Sequence, residues 1–210
     1  MPKATRAPWR NHERSKHRVD APALLRTRHR FGWPCGLAIF TKHGLRRKTL
    51  NWLMTAQQFM AEHVERMGHS VAHFIASTDP KLLDQHLETK GSEPARSILE
   101  LVAECAAANR YFAALLNGGT HGQPTIPEFA NPDEASHEII ASANVLADAI
   151  RSAHDEAFEQ EFQHWSRGPL SGTILMMGAY RNMAYHSGQI NFIQILAGDQ
   201  EFHMPLTWLK

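Results

Sequence analysis

The chain has 210 residues, of which 43% are hydrophobic and 20% charged, so it is long enough for one soluble globular domain of ordinary size. No apolar run approaches the roughly 20 residues that a helix needs to cross a bilayer, which argues against a membrane protein. Residues 1–53 carry a net charge of +11, from 13 Lys and Arg against two acids, whereas residues 54–210 carry −10, from nine against 19. The acidic part gives no electrostatic reason to bind nucleic acid.

The change of charge predicts a boundary between a basic segment, 1–53, and a domain, 54–210. We interpret the basic segment as a disordered or non-native extension, because Met54 begins a run that reads straight into a helix, as a natural start would. Two alternatives remain open, a basic arm that binds nucleic acid and an organelle transit peptide.

Two segments with the helical spacing of apolar residues open the predicted domain. The first covers residues 55–76 and is followed by a turn-forming run of Ser, Thr, Asp and Pro. The second covers residues 94–116 and is followed by Asn and two glycines, which commonly end a helix.

Two further helices are predicted after a proline-rich loop. The third begins with Pro132 behind Asn131, and its apolar positions continue to Trp165, which would leave His164 beside charged residues on an exposed face. The fourth covers residues 171–197. No segment has the pattern of a strand.

These segments predict an all-α fold, a four-helix bundle around one core, because each helix has an apolar face that must be covered. The tail, residues 203–210, is expected to pack across the end of the bundle. A homodimer is also expected, because the fourth helix has apolar residues away from its core-facing positions. Those residues are Met176, Met183, Phe192 and Leu196.

The fourth helix carries two polar residues in its predicted core face. Asn182 and His186 are four positions apart, and the apolar residues above and below them repeat at steps of three and four. Because buried polar groups need partners, these two side chains predict a site in the bundle core.

Around these residues the chain resembles the DinB-like superfamily of small metal-binding bundles. The matching patterns are His186-Ser-Gly-Gln-Ile190 in the fourth helix and Glu104-Cys-Ala-Ala-Ala-Asn109 in the second. The family presents three histidines to one divalent ion. Here His186 keeps the last of them, while Glu104 and Asn182 stand in the positions of the other two.

The resemblance implies a bacterial, metal-dependent enzyme, of the thiol-dependent transferase or the hydrolase type, acting on a small molecule. The divalent metal would be Zn, Ni, Mn or Fe, with Glu104, Asn182 and His186 as its ligands. The alternative is a dimeric, non-catalytic bundle that has lost the metal and acts as a binding or stress-response module. A cytoplasmic location is expected, because two cysteines give no disulfide framework.

Overall fold

The structure, a computed structural model, describes residues 54–88, 94–119 and 122–209. All of these residues belong to the domain predicted at 54–210. The basic segment 1–53 lies outside the described residues, so its interpretation as an extension stays a prediction.

Four α-helices dominate the described chain: α1 (Ala56–Ala76), α2 (Ile98–Leu116), α3 (Pro132–Ser152) and α4 (Gly172–Leu196). Their existence and order confirm what the helical spacing predicts, and the bounds of α1 and α4 agree with the prediction within a residue. The described part of the chain is therefore mostly helical, with four α-helices.

Side-chain caps set where the helices begin. At α2, Ser97 Oγ accepts the backbone N–H of Glu100, and a Glu100 carboxylate oxygen accepts the backbone N–H of Ser97. This reciprocal cap satisfies two donors at the helix start. It explains why α2 begins at Ile98 and not at residue 94, where it was expected. The other three helices are also capped by a side chain, from Thr55, Asn131 and Ser171.

The prediction that the chain has no strand is wrong. After α3 the chain forms a short 3-10 turn, Asp155–Phe158, and then a hairpin of β1 (Glu161–His164) and β2 (Gly168–Ser171). The strands are antiparallel, with Phe162 opposite Leu170. In β1 exposed and buried side chains alternate, which is the period of two that a strand shows. Because β1 has only four residues, this pattern can be mistaken for the end of a helical pattern.

The same error misplaced His164, which is buried in the hairpin and not exposed. His164 Nδ1 accepts the backbone N–H of Ser166 at 3.2 Å, and its ring packs edge-on against Tyr111, with 5.3 Å between centroids. Burial, and then the charge of Arg167, lowers the pKa of His164 from 6.5. The imidazole of His164 in this hairpin is therefore neutral near pH 7.

We expect the hairpin to weaken in mild acid. Below pH 6.5 the unfolded chain protonates this histidine more readily than the folded chain does, because the folded pKa of His164 is lowered. Above pH 6.5 the protonation of His164 therefore does not change the free energy of unfolding. As the pH falls below 6.5 that free energy decreases, by at most about 1.4 kcal/mol per pH unit. Urea unfolding at about pH 7.5 and 5.5 should show a smaller acid loss for His164→Gln than for the wild type. An equal loss in both proteins would contradict this assignment.

The helices pack around a shared core, in which α1 and α2 each contact both α3 and α4. Gly68 lets α1 approach α3 closely, because a Cβ on Gly68 would lie 2.6 Å from Ala143 Cβ. Met176 and Met183 are fully buried in this core, so their predicted place off the core face of α4 is wrong. No helix within the described ranges combines the length and apolar character needed to cross a membrane.

The C-terminal tail packs on α1. Trp208 Nε1 donates to Ser70 Oγ at 3.0 Å, and the Trp208 ring lies 6.4 Å from the ring of Phe74 between centroids. The tail therefore contacts α1, and its expected packing across the end of the bundle stays a prediction.

Candidate functional site

Helices α2 and α4 bring two of the three predicted site residues together. His186 is buried on the inner face of α4 and Glu104 lies opposite it on α2, with 3.7 Å between His186 Nε2 and Glu104 Oε1. Buried Ala179 and Ile190 on α4 flank the histidine along the helix. The burial of His186 agrees with the helical spacing, and Glu104, whose side chain is 27% exposed, points toward it.

The imidazole of His186 is held in one orientation and is neutral near pH 7. Its Nδ1 donates to Gln189 Oε1 at 2.6 Å, so the lone pair of the neutral ring is on Nε2 and faces Glu104. Burial lowers the pKa of His186 most strongly, the Gln189 bond raises it, and the charge of Arg96 lowers it further. Two hydrogen-bond acceptors, His186 Nε2 and Glu104 Oε1, thus face each other.

Arg96 completes this cluster and was missed by the sequence reasoning. Its guanidinium pairs with Glu104 Oε2, an atom that is buried from solvent. A buried carboxylate needs a cation or several donors, and Arg96 supplies the cation. Arg96 precedes the cap of α2, so no helical spacing relates it to Glu104.

Asn182 lies apart from the pair. It is half-buried on α4, and its Nδ2 is directed at Cys105 Sγ at 3.8 Å. Cys105 is a free, buried cysteine, and burial raises the pKa of its thiol. No described contact joins Asn182 to Glu104 or His186.

Asn109 is another polar side chain near the site and is fully buried in the core, one turn beyond Cys105 on α2. Its Nδ2 donates to Ser142 Oγ at 3.3 Å and approaches Met183 Sδ at 3.5 Å. Its Oδ1 has no hydrogen-bond partner among the described residues. Asn109, which holds the polar position after Glu104 in the family pattern, thus connects α2 with α3 and α4.

The residues present meet only part of what a divalent ion requires. If an ion lay about 2.1 Å from both His186 Nε2 and Glu104 Oε1, these two atoms would make an angle of roughly 120° at the ion, which is acceptable for two metal ligands. However, Arg96 occupies the other oxygen of Glu104, and its positive charge opposes a cation. Within the described part of the chain no group of three His, Cys, Asp or Glu side chains is placed to hold a metal. The cluster therefore does not fit a three-ligand metal centre.

Two surface clefts lie elsewhere, along α2 and α3 beneath the loop of residues 122–129. They measure about 340 and 410 Å³, and both are lined by Pro127 and Glu138. Neither is lined by Glu104, Asn182 or His186. The three predicted site residues therefore lie outside both clefts.

Comparison of the sequence with protein-family models gives no match, and no curated protein is significantly similar to it. By structure, the chain is similar to a conserved protein from Enterococcus faecalis whose crystal structure is known, with a TM-score of 0.54 and 14% sequence identity. The similarity covers 70% of this chain and 99% of that one. At this identity it shows a shared fold and nothing about function.

Proposed function

We propose that this chain is a DinB-like four-helix bundle that works without a metal, as a non-catalytic binding module. The observation that carries the proposal is the pairing of Arg96 with the buried oxygen of Glu104. At this site the Arg96 guanidinium would supply the positive charge that a divalent ion supplies in the family. The packing of each helix on two others supports the bundle.

The acceptor pair, His186 Nε2 and Glu104 Oε1, gives such a module its recognition chemistry. Arg96 neutralises the carboxylate, and Gln189 holds the imidazole with its lone pair toward Glu104. A molecule that presents an N–H or O–H donor would satisfy both acceptors. A cytoplasmic location belongs to this proposal and is supported by the free thiol of Cys105.

A metal-dependent enzyme, of the thiol-dependent transferase or hydrolase type, is the second candidate. It is favoured by the 3.7 Å separation of His186 Nε2 and Glu104 Oε1, which suits two ligands of one ion. In that case Glu104 and His186 would be ligands of Zn, Ni, Mn or Fe, and Asn182 would have to turn away from Cys105.

A double-mutant cycle between Arg96 and Glu104 tests the first proposal. Arg96→Gln should lower the free energy of unfolding by about 1 kcal/mol, because it removes the cation from a pair that solvent screens only in part. Glu104→Gln should cost less, since Arg96 is partly exposed and can turn to solvent. Adding Glu104→Gln to Arg96→Gln should recover part of the loss, with a coupling of about 0.5–1 kcal/mol.

Any other contacts of Arg96 are lost in both the single and the double variant, so they cancel in the cycle. The measurement is urea unfolding with and without EDTA. The proposal predicts the same coupling in both conditions. A coupling near zero, or a wild type that loses stability in EDTA, would support the metal-dependent candidate instead.

A further inference from the structure

Helix α4 is apolar on its outer side as well as on its core side. Tyr185 is 65% exposed and Phe192 is 59% exposed. Other large apolar side chains about half exposed on α4 are Ile174, Ile195 and Leu196. From Tyr185 to Ile195 the steps through Gly188 and Phe192 are three, four and three, so these residues form one stripe, the α4 outer stripe. A helix that is apolar on both sides requires cover beyond its own core.

The stripe is self-complementary about Gly188. No atom lies within 4 Å of the place where a Cβ on Gly188 would be, so the backbone of another helix can approach closely there. Tyr185 lies three positions before this glycine and Phe192 four after it. In an antiparallel pair of α4 helices crossing at Gly188, Tyr185 would therefore meet the partner's Phe192, as a two-fold interface requires.

The charges at the two ends of the stripe fit the same antiparallel arrangement. Arg181 is exposed, seven positions before Gly188, and pairs with no acid in the described ranges. Asp199, which pairs with His203 Nε2 at 2.7 Å, and Glu201 follow the other end of α4. Antiparallel pairing brings each Arg181 toward the acids of the partner, whereas parallel pairing would place the two arginines side by side.

The exposed apolar area matches a stable interface. At about 200 Å² per large side chain, the exposed fractions of the five α4 residues amount to roughly 550 Å². Two copies would thus bury roughly 1,100 Å² of apolar surface in total. A specific interface should bury at least about 1,000 Å² in total.

We propose that two copies of this chain form a dimer through antiparallel α4 helices, with the two-fold axis at Gly188. The interface would cover Tyr185, whose ring lies 5.2 Å from the ring of His186 between centroids. It would thus close the outer side of the Glu104–His186 cluster. This inference does not depend on the proposed function, because it requires only the outer face of α4.

Light scattering on the full chain at about 50 µM should give twice the chain mass of 23.7 kDa. Gly188→Glu and Phe192→Glu should each give a monomer, since each places a charge in the apolar interface. Both variants should keep the helical content of the wild type, because the changed residues are exposed and glutamate is a better helix former than glycine. Val145→Glu is the matched control, an exposed apolar residue on α3, and it should stay dimeric.

Cysteine cross-linking tests the antiparallel geometry, in a Cys35→Ser background that leaves only the buried Cys105. Gly188→Cys should form a covalent dimer on mild oxidation, because the two copies of this position meet at the axis. Ile195→Cys should not, since it would lie opposite the partner's Arg181.

A monomeric wild type would overturn the inference, and so would a dimer that persists in both glutamate variants. Cross-linking of Ile195→Cys as efficient as that of Gly188→Cys would show parallel pairing and overturn the arrangement. Loss of the dimer in Val145→Glu would place the interface on α3 and would also contradict it.

Discussion

Replacing two residues together, as Glu104→His/Asn182→His, should turn this chain into a protein that binds Ni²⁺ or Zn²⁺. The double variant would restore the three-histidine set of the DinB-like pattern, with His186 as its third member. Residues 182 and 186 are one turn apart on α4, and Glu104 already faces His186 across the core. A neutral imidazole at position 104 also removes the partner that holds the Arg96 guanidinium at the site.

The expected effect is large. A ligand that binds only the folded state at 100 times its Kd stabilises that state by about 2.7 kcal/mol. For a chain of this size, that corresponds to a rise in Tm of roughly 5–10 °C. Thermal unfolding with and without Ni²⁺ would measure it. Each single variant should gain much less, and adding His186→Ala to the double variant should abolish the gain.

If the double variant is folded and yet gains no stability from either ion, then α2 and α4 are not arranged as in the DinB-like bundle. That result would remove the resemblance as a basis for the site. It would not affect the Arg96–Glu104 pair or the α4 outer stripe, because neither inference depends on the resemblance.

Gly172→Ala should strongly destabilise the fold. Gly172 is the first residue of α4, and a Cβ there would lie 1.7 Å from the backbone oxygen of Ala157 and 3.2 Å from the Phe162 ring. A backbone atom cannot rotate away as a side chain can, so either the turn before the hairpin or the start of α4 must move. Gly172 N–H also donates to the backbone oxygen of Gln160 at 2.9 Å, and that bond would be strained.

We expect a loss of about 3 kcal/mol or more, at the upper end for overpacking, and a fall in Tm of roughly 6–12 °C. Gly122→Ala is the matched control, because no atom lies within 4 Å of a Cβ at Gly122. Its effect should stay within about 0.5 kcal/mol. A Gly172→Ala variant as stable as this control would contradict the close packing of α4 against the turn.

The sequence predicted the helices well because each is long and has a regular apolar spacing, and because caps such as Asn131 have recognisable chemistry. The hairpin was missed for the opposite reason. β1 has four residues, and its buried Phe162 lies four positions after Phe158, a spacing that also fits a helix. A pattern of that length cannot distinguish the two periods.

The candidate site was only partly predictable. His186 could be placed by its spacing within an apolar stripe, and Glu104 by its position in the family pattern. Arg96 could not, since a side chain reaching in from the loop before α2 has no periodic relation to the residue it contacts. The direction of the Asn182 amide, toward Cys105, depends on the tertiary contact of α2 with α4.

The central claim is that Arg96, and not a metal, satisfies Glu104 in this protein. Elemental analysis of the full-length wild type, prepared without chelator or a metal-affinity tag, tests it most directly, with the double variant prepared in parallel. We expect less than about a tenth of an equivalent of any transition metal in the wild type and no stabilisation by Zn²⁺, Mn²⁺ or Ni²⁺, while the double variant binds metal. Close to one equivalent in the wild type, lost in His186→Ala, would contradict the claim and establish the metal-dependent site.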